Sequence, residues 1–234
     1  MLRIDIVSGV PSLLESPLAS SIVGRAREKG LVDINIHDLR EYSEDKHRKI
    51  DDYPYGGGAG MVLSAQPIFS CIEKLKSERT YDEILFTAPD GEKYEQAHAN
   101  RLSVCNNLII LCGHYKGVDH RVREALITRE FSIGDYVLSG GEIPALAITD
   151  SVVRLLPGVL GDAESALSDS FQQPLLSAPV YTRPVEFRGL KVPEVLTSGD
   201  HEKVETWRKE QAILRTKKLR PDLYQKFKKE SKAQ

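Results

Sequence analysis

Only three cysteines, two methionines and one tryptophan occur in 234 residues, and aromatic residues make up 7%. Cys71, Cys105 and Cys112 are too scattered for a Cys-x-x-Cys metal site and odd in number for a disulfide framework. They read as reduced thiols, so a cytoplasmic protein is expected. No apolar run approaches the roughly 20 residues that span a bilayer, and no membrane partner is expected. The N-terminus, MLRIDIVSGVP, has no apolar core followed by a small-residue cleavage site, and it is not expected to be a signal peptide. There is no GxGxxG and no GxxxxGK[ST], which excludes a written dinucleotide fingerprint and a P-loop. Repeats and low-complexity tracts are also absent.

What is present is ordinary in bulk. A chain 41% hydrophobic and 28% charged suits a soluble globular protein, and its length suits one large domain or one domain plus a smaller one. The net charge of −2 hides an asymmetry. From His201 to Gln234 there are eleven Lys or Arg against five Asp or Glu, while the rest of the chain is acidic. A basic tail on an acidic body is the pattern of a polyanion-binding module; a solvated helix face gives the same composition.

LRIDIV, EILFTA (83–88), NLIILCG (107–113) and 132–139 read as strands, the third apolar at every position as in a strand buried on both faces. Helical patterns lie between them: Leu13 to Lys29, Gln66 to Ser77, Glu95 to Val104 and Val118 to Leu126. A further helix follows Gly141 and runs to Pro157-Gly158, and a basic helix starts near His201. Alternating β and α elements predict an α/β fold with a parallel sheet. Three strand ends run into glycine-bearing loops: PDG (89–91), GHYKG (113–117) and GGEIP (140–144). A tight turn explains any one of them. Together they point to a ligand, because open α/β sheets bind ligands at the carboxyl ends of their strands.

SIGDYVLSGGEIPA (132–145), DDYPYGGGAGM (51–61), CGHYKGVD (112–119) and PGVLG (157–161) closely resemble the bacterial tRNA (guanine-N1)-methyltransferases, the TrmD family. The resemblance continues through DSF (169–171), YTRP (181–184), VPEVLTSGDH (192–201) and WR (207–208). It implies a SPOUT-class sheet with a deep C-terminal trefoil knot, something hydrophobic periodicity cannot indicate. It further implies a knotted domain over 1–161, a linker over 162–175 and a basic helical tRNA-binding domain over 176–234. In that family the methyl of S-adenosylmethionine goes to N1 of guanine 37, beside the tRNA anticodon. By similarity, the cofactor contacts are Pro89, Gly113, Ile133, Gly134, Asp135 and Tyr136, with Val137, Leu138, Gly140, Gly141 and Pro144. The catalytic pair is Asp169 as base at N1 and Arg154 at O6. The partners are the tRNA anticodon arm and a second subunit, with each site at the interface of a homodimer.

The chemistry suits those residue types. The N1 proton must leave as the methyl arrives, which a carboxylate can accept. Negative charge then builds on O6, where a guanidinium stabilises it. Without the resemblance, Asp169 reads as a solvated acid or helix cap, and Arg154 as a surface ion pair with Asp150. Mg²⁺ stays open: Lys116 stands where many members carry an acid, and hard cations want oxygen ligands, leaving Asp119 and Asp135 as candidates. His47 and His114 read as polar surface histidines. Two other readings remain: a knotted RNA- or ligand-binding protein without catalysis, and another SPOUT methyltransferase acting on a ribose hydroxyl or a different base. The presence of Asp169 and Arg154 weighs against the first, and the YGGGAGM and DSF segments against the second.

Overall fold

The run NLIILC forms β6 (Asn107–Cys112), the central strand of a five-stranded sheet. Leu108, Ile110 and Cys112 enter one hydrophobic cluster, whereas Ile109 and Leu111 enter another. Neighbours along a strand point to opposite faces, so a run apolar at every position suits a strand between two helical layers.

The structure, a computed structural model, describes residues 1–161, 171 and 174–230. The chain divides into two units, Met1–Ala163 and Glu164–Gln234. In the first, β6 is joined by β1 (Leu2–Ser8), β2 (Val32–Asp38), β5 (Glu83–Lys93) and β7 (Arg129–Ser132) in the order β2-β1-β6-β5-β7. Every pairing is parallel. On one face α6 (Glu142–Val153) packs among α1 (Ser12–Leu18), α2 (Ser21–Glu28) and α4 (Gln96–Leu102). The other face carries α3 (Ala65–Glu78), α5 (His120–Leu126) and a 3₁₀ turn at Leu39–Tyr42. A two-residue hairpin, β3 (Asp51–Asp52) with β4 (Val62–Leu63), stands apart from the main sheet. Ala145, Ile148, Thr149, Val152 and Val153 of α6 are all buried, as expected of a helix enclosed on most sides.

Three expectations need correction. Leu13 to Lys29 is two helices: Pro17 lacks the N–H that a continuous helix needs, and Ser20 is extended. Val32–Asp38, read as no element in the sequence, is a full edge strand on β1. The strand expected over 132–139 ends at Ser132, its last pairing with Lys93. Gly134 then turns the chain with φ +152 and accepts a hydrogen bond from the Tyr136 amide at 2.9 Å.

The second unit holds a short hairpin, β8 (Glu186–Phe187) with β9 (Leu190–Lys191), a 3₁₀ turn at Glu194–Thr197, and the helices α7 (His201–Leu219) and α8 (Pro221–Glu230). Asp200 caps α7 by accepting from the Lys203 amide at 3.2 Å. Thr216 is wholly buried and accepts a 2.8 Å hydrogen bond from the Leu176 amide.

Beneath the 3₁₀-turn face lies a buried ionic network. Asp5 accepts from Arg3 at 2.8 and 2.9 Å and from Tyr81 at 2.7 Å, and it meets His37 at 2.8 Å. Burial alone would raise the Asp5 carboxyl; hydrogen bonds from His37, Arg3 and Tyr81 outweigh it and hold it down at about 2. A depressed carboxyl contributes stability that is present above its unfolded value and lost as pH falls through the folded one. Asp5→Ala should therefore cost about 3–5 kcal/mol in urea unfolding at pH 7, because Arg3, His37 and Tyr81 lose the buried acceptor they share and Arg3 keeps only its bond to Asp33. The gap between wild type and variant should narrow as pH falls from about 4 to 2; a gap constant with pH would show that Asp5 acts through packing alone.

Candidate active site

Three strands end at one edge of the sheet, and their continuations interlock. In β5 the pairing to β7 jumps, with Thr87 and then Glu92 both opposite Phe131, so residues 88–91 are extruded as a loop. Gly91 closes that loop against the β7 backbone, where a Cβ would lie 2.7 Å from Glu130 C and Phe131 N. The Arg123 guanidinium holds the loop from outside, bonding Asp90 at 2.9 Å as well as Glu130. After β6 the chain makes a tight turn at 113–117, with Tyr115 at φ 58. After β7 the loop 133–139 swings out, and Gly140-Gly141 returns across the end of β6.

That return is backbone against backbone. Gly140 bridges His114, and the Gly141 amide donates to Gly113 O at 2.7 Å. Thr87 Oγ1 lies 3.2 Å from both Leu111 O and Gly141 O. A Cβ on Gly141 would sit 2.1 Å from Thr87 Oγ1 and 2.6 Å from the Gly113 nitrogen. Only glycine fits. The other bare positions of the motif serve the same closeness: a Cβ on Gly113 would come within 3.2 Å of Thr87 O.

The interlocked loops line a cleft open to solvent at the carboxyl ends of the strands. Its walls mix apolar side chains with exposed main chain. Of the cofactor residues expected from the sequence, all but Asp135 line it: Pro89 from the extruded loop, Gly113 from the turn, and Ile133, Gly134, Tyr136, Val137, Leu138, Gly140, Gly141 and Pro144 from the returning segment. The GGGAGM segment lies alongside: the Lys116 amide donates to Met61 O at 3.0 Å, and the Leu63 amide to Gly117 O at 3.0 Å. The three glycine-bearing loops read in the sequence therefore meet at one place, with the GGGAGM segment beside them.

A family model, tRNA (Guanine-1)-methyltransferase TrmD, matches residues 2–226. This chain belongs to the TrmD family. Curated relatives named tRNA (guanine-N(1)-)-methyltransferase agree with that over the same span. The protein of Azobacteroides pseudotrichonymphae is 60% identical, covering 95% of this chain and 100% of the relative. Those of Christiangramia forsetii and Bacteroides fragilis are 59% and 57% identical, again over 95% of this chain and 98% and 99% of their own lengths.

Of the catalytic residues expected of a TrmD member, Arg154 does not line this cleft. Asp169 lies outside the described residues. Arg154 is half-buried at the far end of α6, where its amide caps the helix on Asp150 O. At 1.5 Å per residue, the 12 residues of α6 set it about 18 Å from the glycines that open the helix. Among the described residues no group of three or more His, Cys, Asp or Glu side chains could hold a metal ion. Asp119 is held by Arg121 at 2.7 and 2.9 Å. His114 is no surface histidine: its Nδ1 is buried in the cleft wall, and its ring stands edge-on to Tyr115. Glu142, which the sequence reading passed over, is 1% exposed at the first position of α6. A charged residue opening an otherwise apolar helix was the signal available for it.

Gly141→Ala should lower unfolding stability by about 1–3 kcal/mol, the usual cost of overpacking. Gly57→Ala, at φ +81 with open space around it, should cost only the backbone strain of about 1 kcal/mol. Equal losses in chemical denaturation would show that crowding at Gly141 is relieved by movement of the loop.

Proposed function

We propose that this chain transfers the methyl group of S-adenosylmethionine to N1 of guanine 37 in tRNA, in the cytoplasm. The observation that carries the reading is the cleft floored by Gly113, Gly140 and Gly141, in a chain of the TrmD family. Bare backbone at a strand edge lets a flat heterocycle approach the main chain closely. The residues present fit the cofactor. When bound, it supplies a methyl already activated by a cationic sulfonium. The protein's task is then position and proton. Main-chain groups of the three loops orient the adenosine, and the apolar walls exclude water. Asp169 accepts the N1 proton, and the Arg154 guanidinium donates to O6 as charge develops there.

The length of α6 supports a two-subunit site. An arginine at the far end of α6 from the cleft of its own chain is better placed to serve the cleft of a second copy. This favours a homodimer with the active site at its interface. The return of Gly140-Gly141 across β6 supports the trefoil knot of the SPOUT class. We assign residues 162–175 as the linker that carries the base. The basic unit beyond it grips the anticodon arm, and Lys217 and Lys218 in the last turn of α7 begin its densest positive run.

Asp169→Ala should lose most methyl transfer with cofactor affinity unchanged in calorimetry. Arg154→Ala should lose about 3 kcal/mol of transition-state stabilisation in single-turnover assays. Transcripts with G or A at position 37 test the reading as a whole: transfer to both alike would favour a different base or a ribose hydroxyl.

Cations replacing counterions on phosphate make affinity fall steeply with salt. Neutralising Lys217 and Lys218 together should reduce the slope of log affinity against log salt by roughly two units, about one per contact. An unchanged slope would reduce this helix to a solvated face.

A further inference from the structure

Glu142 lies behind the wall of the cleft. Its Oε1 accepts a 2.7 Å hydrogen bond from Ser8 Oγ, at the end of β1. Its Oε2 is buried and has no hydrogen-bond partner among the described residues. His114 Nδ1 is in the same condition. Both atoms converge on Gly140: a Cβ there would lie 2.3 Å from Glu142 Oε2 and 2.7 Å from His114 Nδ1.

A carboxylate enclosed with only a neutral hydroxyl as partner is costly, and folding favours such a group only when something offsets its charge. The first turn of α6 does part of this, since Glu142 sits at the positive end of the helix dipole. The charge is felt nearby, where burial and then Glu142 push the Cys112 thiol well up. Among the described residues no hydrogen bond or ion pair reaches Oε2. On the other side of Gly140 lies the cleft, and the ligand of the proposed function carries a cation.

We propose that Glu142 is the counter-charge through which the cleft prefers a cationic sulfonium ligand to the neutral thioether left after transfer. This rests on the cofactor reading above and deepens it. Gly140 has no side chain, so one layer of backbone separates carboxylate and ligand. Coulombic attraction in such a poorly solvated place is several times stronger than in water. In the transfer, the C–S bond breaks with its electron pair staying on sulfur, the methyl bonds to N1, and the N1 proton passes to Asp169. The sulfur is then neutral, and the attraction to Glu142 is gone. Glu142 thereby helps to load the substrate form and to release the product form. It is a specificity-determining residue, touching neither the methyl nor the guanine.

The test is calorimetric titration of the full-length protein and its Glu142→Gln variant with three ligands. These are S-adenosylmethionine, sinefungin (a protonated amine in place of the sulfonium) and S-adenosylhomocysteine. The variant keeps the Ser8 hydrogen bond and loses only the charge. The two cationic ligands should weaken at least tenfold and the neutral one less than twofold. Equal weakening of all three would mean that Glu142 only supports the loop, and no weakening would mean that it does nothing; either overturns the inference. Should the variant fail to fold, the wild type decides: S-adenosylhomocysteine binding as tightly as both cations excludes a counter-charge. If none of the three binds the wild type, the cofactor reading itself fails, a result distinct from binding without charge preference.

Discussion

The contact on which the site depends is one hydrogen bond, from the Gly141 amide to the Gly113 carbonyl at 2.7 Å. It holds the segment after β7 down on the end of β6, with Thr87 wedged beneath. The direction in which α6 enters the sheet is set there, and so is its buried position among α1, α2 and α4. The cleft is the space left on the outer side of that contact. Fold and site thus share one constraint: two stretches of backbone must approach more closely than side chains permit.

Much of this was legible in the sequence, for a definable reason. Five apolar residues in a row, Leu108 to Cys112, are typical of a strand buried on both faces, which β6 is. Glycines at the ends of three would-be strands marked the edge where the cleft opens. The errors arose where a residue's meaning depends on something distant. Ile133, Tyr136, Val137 and Leu138 have strand composition but no strand partner, since the pairing with β5 is exhausted at Ser132. VDINIHD alternates weakly, because its outward face carries the Asp33 that pairs with Arg3 on β1. Leu13 to Lys29 shows one apolar stripe, yet it is broken at Ser20 so that two short helices can both reach α6.

Glu142 was the least legible residue. Acidic residues are common in the first turn of a helix, where the dipole favours them and solvent usually surrounds them. Nothing in GGEIPA states that this one points inward to Ser8, 134 residues earlier in the chain. Arg154 was legible only through the family pattern. Its place is the far end of α6 from the cleft.

A pocket built from main chain also has a bearing on how the protein can change over generations. Side chains are exchanged by single nucleotide substitutions; carbonyls and amides are not. At Gly141, where even a methyl group would strike Thr87 and Gly113, the first step of any substitution is already obstructed. A competitive inhibitor that copied the hydrogen-bonding edge met by these loops would present the protein with few routes to resistance inside the pocket. Escape would have to come from the exposed rim, which includes Tyr136 and Val137.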